Sequence, residues 1–257
     1  GVMHELLLQL NFTWMPDLLV QMLQTPLITE ASVESLGDQL KKDGFSAHYP
    51  VVMIPGYTTT GLELWLGHDC VRKYFRQRLW GTLTMAEAIF LRTKCWLEHL
   101  MLDPQTGLDP PGIKLRPAMG MEAADFVFPG YWVWAKVIEV LASVGYDSNT
   151  AHLFGYDWRM NFEAMQERDK TWTRLKSQIE LAKALMNDRR VVIVSHSMGS
   201  QVLLYFFHWV ERQESGWVSR NIQSVVSIGG TWLGVPKAYG ALISGEMKDT
   251  AHLGALR

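Results

Sequence analysis

The sequence predicts an α/β fold with a doubly wound, mostly parallel sheet. Residues 191–194 are four consecutive β-branched side chains, the pattern of a strand buried on both faces. A helical apolar pattern at 201–210 follows this strand almost at once, and strand and helix patterns alternate on both sides of the pair. At 257 residues and 48% hydrophobic content, the chain is large enough to bury one sizeable core.

The other elements follow from local patterns of the same kind. Further strands are predicted at residues 49–54, 152–156 and 222–228, each bounded by turn-forming residues. Further helices are predicted at 131–144, before Gly145, and at 163–186, with lysine and glutamate on the outer face. Strands separated by helices in this way form parallel sheets.

Two segments lie outside the alternation. Residues 1–48 mix apolar patches with polar turns, and we expect them to form short helices that pack on the core. Residues 49–257 then form one α/β domain with an insertion at about 62–121, where no strand-helix alternation is evident and prolines interrupt the chain. An irregular insertion of that size is most simply a cap or lid over a site. His68 and His99 fall within it, and we expect both to be exposed.

The strand at 191–194 ends in Ser195-His196-Ser197-Met198-Gly199, a small-x-Ser-x-small pentapeptide followed directly by a helix. This is the sequence form of a nucleophile elbow, in which the strand-to-helix turn brings backbones too close for larger side chains at the outer positions. The elbow predicts that the Ser197 hydroxyl is exposed at the apex of the turn. The alternative is an ordinary strand-turn-helix corner.

A serine nucleophile needs a base, and in this fold an acid and then a histidine follow the serine in the chain. His208 lies 11 positions along the helix after Ser197, about 16 Å away, too far to reach the hydroxyl. His252 follows Asp249 closely, so one short segment would have to supply both partners. His196 adjoins the nucleophile, where packing is the expected role. The sequence therefore predicts an incomplete triad.

The oxyanion hole is better supplied than the triad. One donor in an elbow is the amide after the nucleophile, here Met198. The second comes from a loop after an earlier strand, for which both Pro55-Gly56-Tyr57 and Pro129-Gly130-Tyr131 qualify. The sequence pattern leaves these two turns open.

Composition excludes some functions and favours others. The formal net charge is −2 and no long basic stripe occurs, so we expect no nucleic-acid partner. No segment has the roughly 20 apolar residues of a membrane span, and residues 2–10 lack the basic start of a secretory signal. Eleven tryptophans and 13 methionines fit a large core, an apolar tunnel for acyl chains or a membrane-facing surface.

Two weak signals concern the compartment. Asn11-Phe12-Thr13 is an N-glycosylation sequon. Cys70 and Cys95 are the only cysteines, an even count that would suit one disulfide in an oxidising compartment. The chain is either cytosolic or a piece of a longer chain, and these two signals favour the second alternative.

Several ordered blocks carry a resemblance that runs from about residue 30 to the C-terminus. They include Tyr49-Pro50-Val51-Val52-Met53-Ile54-Pro55-Gly56, Gly61-Leu62-Glu63-Leu64-Trp65, Tyr156-Asp157-Trp158-Arg159, Gly229-Gly230-Thr231-Trp232-Leu233-Gly234-Val235-Pro236-Lys237-Ala238 and Ser244-Gly245-Glu246-Met247. With the elbow, this set closely resembles the phospholipid:diacylglycerol acyltransferases, relatives of lecithin:cholesterol acyltransferase and lysosomal phospholipase A2.

The resemblance implies an α/β-hydrolase fold and transfer of an acyl group from the sn-2 position of a phospholipid to diacylglycerol through an acyl-serine. It implies Ser197 as nucleophile, and Met198 and Tyr131 as donors of the oxyanion amides. The implied partners are the phospholipid donor, the diacylglycerol acceptor and a membrane surface, and we expect neither cofactor nor metal. The implied location is the luminal face of the endoplasmic reticulum, with a Cys70–Cys95 disulfide closing the lid loop and a glycan at Asn11.

The chain also departs from that family. The family's catalytic Asp and His lie beyond the Ser244–Met247 block, and its N-terminal anchor has no counterpart here, so we interpret the chain as truncated. Two alternative functions stay open: a phospholipase A-type hydrolase of the same fold, and a catalytically incomplete lipid-binding fragment. The sequence does not indicate an oligomeric state.

Overall fold

The computed structural model describes residues 35–128 and 131–244. The strands within them are β1 (Val51–Ile54), β2 (Leu62–Leu66), β3 (Arg78–Trp80), β4 (Lys114–Pro117), β5 (Phe126–Phe128), β6 (Tyr131–Trp132), β7 (Ala151–Leu153), β8 (Val191–His196) and β9 (Ile222–Ile228). The α-helices are α1 (Leu36–Lys42), α2 (Leu83–Leu100), α3 (Ala135–Ser143), α4 (Phe162–Asp169), α5 (Thr171–Leu185), α6 (Gly199–Gln213), α7 (Trp217–Asn221) and α8 (Pro236–Ser244), and 3-10 helices span Asp69–Tyr74 and Met121–Ala124.

The main sheet is parallel and has the order β7-β1-β8-β9. Strand β1 pairs with β7 from Val51↔Ala151 and with β8 from Val51↔Val192, and β8 pairs with β9 up to His196↔Ile228. The predicted parallel sheet is therefore confirmed. Its four strands are those expected from the alternating pattern.

Helices cover both faces of this sheet, as a doubly wound fold requires. Successive residues of β1 point to opposite sides: Val52 and Ile54 pack with α4, α5 and α6, whereas Val51 and Met53 pack with Trp134 and the apolar side of α3. Strand β1 is completely buried as a result. This explains why its sequence is continuously apolar rather than alternating.

Residues 62–121, which we call the cap, are more regular than predicted. They contain a three-stranded antiparallel sheet, β3-β2-β4. Helix α2, which is kinked at the non-helical backbone of Arg92, packs against it. A separate apolar cluster that includes Leu62, Leu79, Trp96 and Leu115 joins these elements. The expectation of an irregular insertion was wrong because strands of three to five residues are too short to show periodicity in the sequence.

Two predicted helices also differ from the structure. The helix expected at 163–186 is two helices, because Lys170 has a left-handed backbone (φ 52°) that ends α4 before α5 begins. The helix expected from residue 131 begins only at Ala135, because residues 131–132 form β6 and pair with β5. Neither break has a glycine or proline to indicate it in the sequence.

Helix α1 packs on α3, where a side-chain carbon at Gly37 would overlap the Ser143 side chain. The rest of the predicted N-terminal segment, with Asn11, lies outside the described residues, as do Asp249 and His252. Strand β9 is the free edge of the sheet as described, with exposed side chains on both faces. Among the helices of residues 35–128 and 131–244, none has both the length and the apolarity that crossing a membrane requires.

Candidate active site

The junction of β8 and α6 has the geometry of a nucleophile elbow. Ser197 lies between the strand and the helix with φ 50°, in the left-handed region that serine rarely adopts. A side-chain carbon at Gly199 would lie 2.5 Å from the Ile54 carbonyl oxygen and 2.6 Å from that of Pro55. The motif therefore requires glycine at this position because β1 and its loop pass directly beside the turn.

Hydrogen bonds fix the elbow from behind. The Ser197 amide donates to the Ile228 carbonyl oxygen at 3.0 Å, which ties the turn to the end of β9. The hydroxyl oxygens of Ser195 and Ser200 are 3.0 Å apart, and those of Ser200 and Ser227 are 2.9 Å apart. These hydroxyl contacts link β8, α6 and β9 next to the nucleophile. They explain why the small residue at position 195 is a serine rather than a glycine or alanine.

The first of the two Pro-Gly turns lies against the nucleophile. A side-chain carbon at Gly56 would lie 3.0 Å from Ser197 Cβ and 2.9 Å from His196 Nδ1, so the turn after β1 packs directly on the elbow. The second turn is only partly described: Tyr131 pairs with Phe128 in the β5–β6 hairpin. The contacts of the described residues do not join Tyr131 to Ser197, and its oxyanion role stays a prediction.

Three aromatic side chains hold the loop that contains the first turn. Tyr156 is fully buried and donates its hydroxyl to the Pro55 carbonyl oxygen at 2.8 Å. Trp80 Nε1 donates to the Thr58 carbonyl oxygen at 2.6 Å, and Trp158 Nε1 donates to that of Thr60 at 3.0 Å. The loop beside Ser197 is thus anchored from the cap and from the segment after β7.

A buried network of arginines and aspartates joins the cap to the rest of the domain. Asp157 is completely buried and accepts hydrogen bonds from Arg159 Nη2 and Arg168 Nη2, each at 2.6 Å. Burial raises the pKa of Asp157, but the hydrogen bonds and charges of the two arginines outweigh that effect and lower it. Arg168 also contacts Asp109 of the cap at 3.0 Å, and Arg116 of the cap pairs with the same aspartate.

Among residues 35–128 and 131–244, no histidine ring is hydrogen-bonded to Ser197. The described residues therefore do not supply a base for the nucleophile. His196 Nδ1 is buried without a hydrogen-bond partner, and burial lowers the pKa of the ring. His208 is exposed on α6, and His68 is exposed in the cap, as predicted. His99 was predicted to be exposed, which is wrong, because the side chain is fully buried. Its Nε2 accepts from the His68 amide and its Nδ1 donates to the Cys95 carbonyl oxygen, and burial is the main cause that lowers its pKa.

The Cys70–Cys95 disulfide is present and joins the Asp69–Tyr74 helix to α2. Together with His99, these cysteines form the one cluster of potential metal ligands found in the described part of the chain. Both sulfur atoms are already in the disulfide, and the His99 ring nitrogens have backbone partners. The cluster therefore acts as a cross-link in the cap, and no metal-binding role follows from it.

The family of the chain follows from its similarity to known proteins. The family model described as lecithin:cholesterol acyltransferase matches residues 74–257, which include the elbow and most of the cap. The chain belongs to the lecithin:cholesterol acyltransferase family. The α/β-hydrolase fold implied by the resemblance agrees with this membership, with the elbow and with the parallel sheet.

Several curated relatives have high sequence identity to the chain. Phospholipid:diacylglycerol acyltransferase of Schizosaccharomyces pombe is 48% identical over 235 residues, which are 90% of this chain and 37% of that protein. The protein of the same name from Saccharomyces cerevisiae is 45% identical over 86% of this chain and 35% of its own length. Lysosomal phospholipase A and acyltransferase of Homo sapiens is 28% identical over 82% of this chain. The chain thus spans a little over a third of the length of the first two relatives.

Proposed function

We propose that this chain is the nucleophile-bearing part of an acyltransferase that moves a fatty acyl group from a phospholipid to diacylglycerol and forms triacylglycerol. The observation that carries the proposal is Ser197, held in a left-handed turn between β8 and α6 with the Gly56 turn packed on it. The substrates are suggested by the relatives that bear the name phospholipid:diacylglycerol acyltransferase, at 44–48% identity.

The proposed chemistry has two steps. Ser197 Oγ forms a bond to the ester carbonyl carbon, in our proposal at sn-2, and the carbon–oxygen bond to the lysophospholipid breaks as that product takes up the proton. The hydroxyl oxygen of diacylglycerol then attacks the acyl-serine, which releases triacylglycerol and returns the proton to Ser197. Both steps pass through an oxyanion that two amides stabilise.

Met198 supplies one of these amides, because it follows the nucleophile at the start of α6. For the second amide, we favour the Pro55-Gly56-Tyr57 turn, because Gly56 packs on Ser197. Tyr131 stays the alternative donor implied by the family resemblance. We propose that the proton acceptor is not among the described residues, since the family resemblance implies a catalytic Asp and His beyond the Ser244–Met247 block.

A hydrolase is the second candidate function. The relatives named lysosomal phospholipase A and acyltransferase, at 28–30% identity, have names that include both activities. The nucleophile and oxyanion amides would be the same for both reactions, and the outcome depends on whether water or diacylglycerol reaches the acyl-serine first. The third candidate, a catalytically incomplete lipid-binding fragment, is supported by the lack of a histidine hydrogen-bonded to Ser197 among the described residues.

We further propose that the cap contacts the membrane. Trp65, Leu66 and Phe75 are each about half exposed, and the Trp65 and Phe75 rings meet edge to face at 6.3 Å. The Arg76 guanidinium lies 5.7 Å from the Trp65 ring, which places a cation beside the apolar group. Aromatic rings next to a cation suit the boundary between lipid headgroups and acyl chains.

The location that we propose is the lumen of the endoplasmic reticulum. The Cys70–Cys95 disulfide supports an oxidising compartment, because disulfides persist there and are rare in the cytosol. A glycan at Asn11 would follow from that location. Treating the cell-derived protein with a glycosidase tests both the location and the glycan. An Asn11→Gln variant should migrate like the deglycosylated wild type. Unchanged migration of the wild type after treatment would contradict the luminal proposal.

Incubation of the full-length protein with labelled phosphatidylcholine and unlabelled diacylglycerol tests the proposed acyl transfer. Label should appear in triacylglycerol with the wild type and should be lost with Ser197→Ala. Ser177→Ala, which removes an exposed hydroxyl on α5, is the matched control and should keep the activity. Labelled free fatty acid without triacylglycerol would favour the hydrolase. Equal triacylglycerol formation by Ser197→Ala would refute the nucleophile assignment.

A further inference from the structure

Thr58, in the loop after β1, has a strained backbone. Its φ is 63°, in the left-handed region that a β-branched residue rarely adopts. It lies two positions after Gly56, where a side-chain carbon would come within 3.0 Å of Ser197 Cβ. A backbone of this kind persists only where surrounding contacts hold it. The turn that packs on the nucleophile therefore depends on the groups that anchor this loop.

The Thr58 carbonyl oxygen receives its hydrogen bond from the cap. Trp80, at the end of β3, donates its Nε1 proton to this oxygen at 2.6 Å. Tyr156 and Trp158, which hold the two ends of the loop, belong instead to the segment after β7. Of the cap side chains that the structure describes, Trp80 is the one that donates to a carbonyl oxygen of residues 55–60.

Two other tryptophan rings fix the orientation of Trp80. The Trp96 ring of α2 stacks on it with centroids 6.3 Å apart and an interplanar angle of 15°, and the Trp158 ring meets it at 5.1 Å. Trp96 is fixed in turn, because its Nε1 donates to the Leu79 carbonyl oxygen at 2.8 Å. The direction of the Trp80 N–H is therefore set by how β3 and α2 lie on the rest of the domain.

We propose that Trp80 is a positioning residue for the reaction of Ser197, because its N–H holds Thr58 in the left-handed conformation and so keeps Gly56 against the nucleophile. The inference rests on the proposed function, since it takes Ser197 as the nucleophile. It does not depend on which turn supplies the second oxyanion amide, because Gly56 packs on Ser197 in either case. Without the bond, Thr58 relaxes towards a negative φ and the turn moves, which slows the chemistry although no group that touches the substrate is lost.

Labelling of Ser197 by an ethyl fluorophosphonate probe in the full-length protein tests this role. Trp80→Phe keeps an aromatic ring that cannot donate a hydrogen bond. We expect it to lower the maximal labelling rate about tenfold and to leave unchanged the probe concentration that gives half of that rate. Incorporation of 3-benzothienylalanine at position 80 keeps the bicyclic ring and removes only the N–H, so it should give the same loss with less disturbance of packing.

Trp172→Phe is the matched control. Trp172 is also buried and donates its Nε1 proton to a carbonyl oxygen, that of Phe162 at 3.1 Å, but its ring contacts are with Phe162 and Tyr205 of the main core. The control should lower the free energy of unfolding in urea at least as much as Trp80→Phe does, and it should keep the wild-type labelling rate. A purely structural role of Trp80 would make the two variants alike in both measurements.

The outcomes separate the inference from the function on which it rests. If the wild type is labelled and both Trp80 variants keep its maximal rate, the inference is overturned alone. A higher half-rate concentration at an unchanged maximal rate would mean that Trp80 shapes the space that the probe enters, which also overturns it. Equal slowing by Trp172→Phe would assign the loss to stability and overturn it as well. If the wild type is not labelled, the nucleophile assignment fails and the inference fails with it.

Discussion

Replacing Asp157 with asparagine should destabilise the protein strongly, although the change removes only a charge. The carboxylate is completely buried and accepts four hydrogen bonds: from the Arg159 amide at 3.2 Å, Arg159 Nε at 2.9 Å, and Nη2 of Arg159 and of Arg168 at 2.6 Å each. The two guanidinium side chains are themselves only 6% and 8% exposed. Removing the carboxylate charge therefore leaves two buried cations with one partner fewer.

The expected magnitude follows from the cost of breaking a buried ion pair. Removing one partner of such a pair typically costs about 3–5 kcal/mol. Asparagine keeps one oxygen that can accept, and Asp109 and Asp169 still contact Arg168, so we expect about 3 kcal/mol for Asp157→Asn. For a chain of this size that loss corresponds to a decrease of about 6–12 °C in Tm.

Urea unfolding followed by circular dichroism measures this free energy directly. Asp69→Asn is the control, because Asp69 pairs with Arg72 on the surface, where both side chains are more than three-quarters exposed, and it should leave the unfolding curve unchanged. Since the Asp157 pKa is lowered in the folded protein, its contribution is present above about pH 4 and is lost as pH falls through the lowered value. An Asp157→Asn protein within about 1 kcal/mol of the wild type would refute this account of the network.

Three further predictions follow from particular contacts. Cys70→Ser removes the disulfide to Cys95, which closes a loop with a sequence separation of 25, and should lower the free energy of unfolding by about 3.5 kcal/mol in urea titrations. A loss below about 1 kcal/mol would contradict this loop-closure estimate. Gly199→Ala should cost about 1–3 kcal/mol and abolish labelling of Ser197 by a fluorophosphonate probe, because its Cβ would overlap the Ile54 and Pro55 carbonyls. Gly240→Ala, inside α8 with open space around its Cβ, should not destabilise the protein, and equal behaviour of the two variants would contradict the steric argument. Burial lowers the pKa of His99, His152 and His196, so Tm should fall as pH drops below about 6.5. His99→Gln should reduce this dependence of Tm on pH, whereas His208→Gln should not. A pH dependence that is unchanged in His99→Gln would exclude that histidine as its source.

The main sheet and the elbow could be predicted because their signals are local. Four β-branched residues at 191–194, a serine between two small residues and an immediate helix specify strand, turn and helix within one window. The strand at Ile222–Ile228 was predicted with its observed bounds for the same reason. Parallel pairing then followed from the alternation of strands with helices.

The cap could not be predicted in this way, because its order depends on contacts between distant residues. Strands β2, β3 and β4 are short, and β2 pairs with β4 from Leu62↔Pro117, across more than 50 residues of chain. His99 is buried because α2 packs against the cap sheet, which nothing in its own neighbourhood of the sequence indicates. The cysteine count suited one disulfide, and the family resemblance added that Cys70 and Cys95 close the lid loop; the two cysteines alone do not show whether the compartment is oxidising.

The choice between the two Pro-Gly turns needed tertiary structure for a similar reason. Both turns follow apolar segments and have the same dipeptide, so the sequence treats them alike. Gly56 of the first turn packs on Ser197, whereas Pro129 and Gly130 of the second turn lie outside the described residues, so the second amide donor stays a prediction. The anchoring of that turn by Trp80 and Trp158 was also missed, although Trp158 lies in one of the blocks that carried the resemblance.

The left-handed backbone at Ser197 bears on how selection acts at this position. At φ 50° a glycine would meet no steric penalty, whereas serine places its Cβ against the neighbouring carbonyl. A lineage selected for folding alone would tend to replace this serine with glycine, because such a change relieves the turn without disturbing the sheet. Under the proposed function, the Ser197 hydroxyl would be the reason for this backbone cost, a loss of stability accepted for activity.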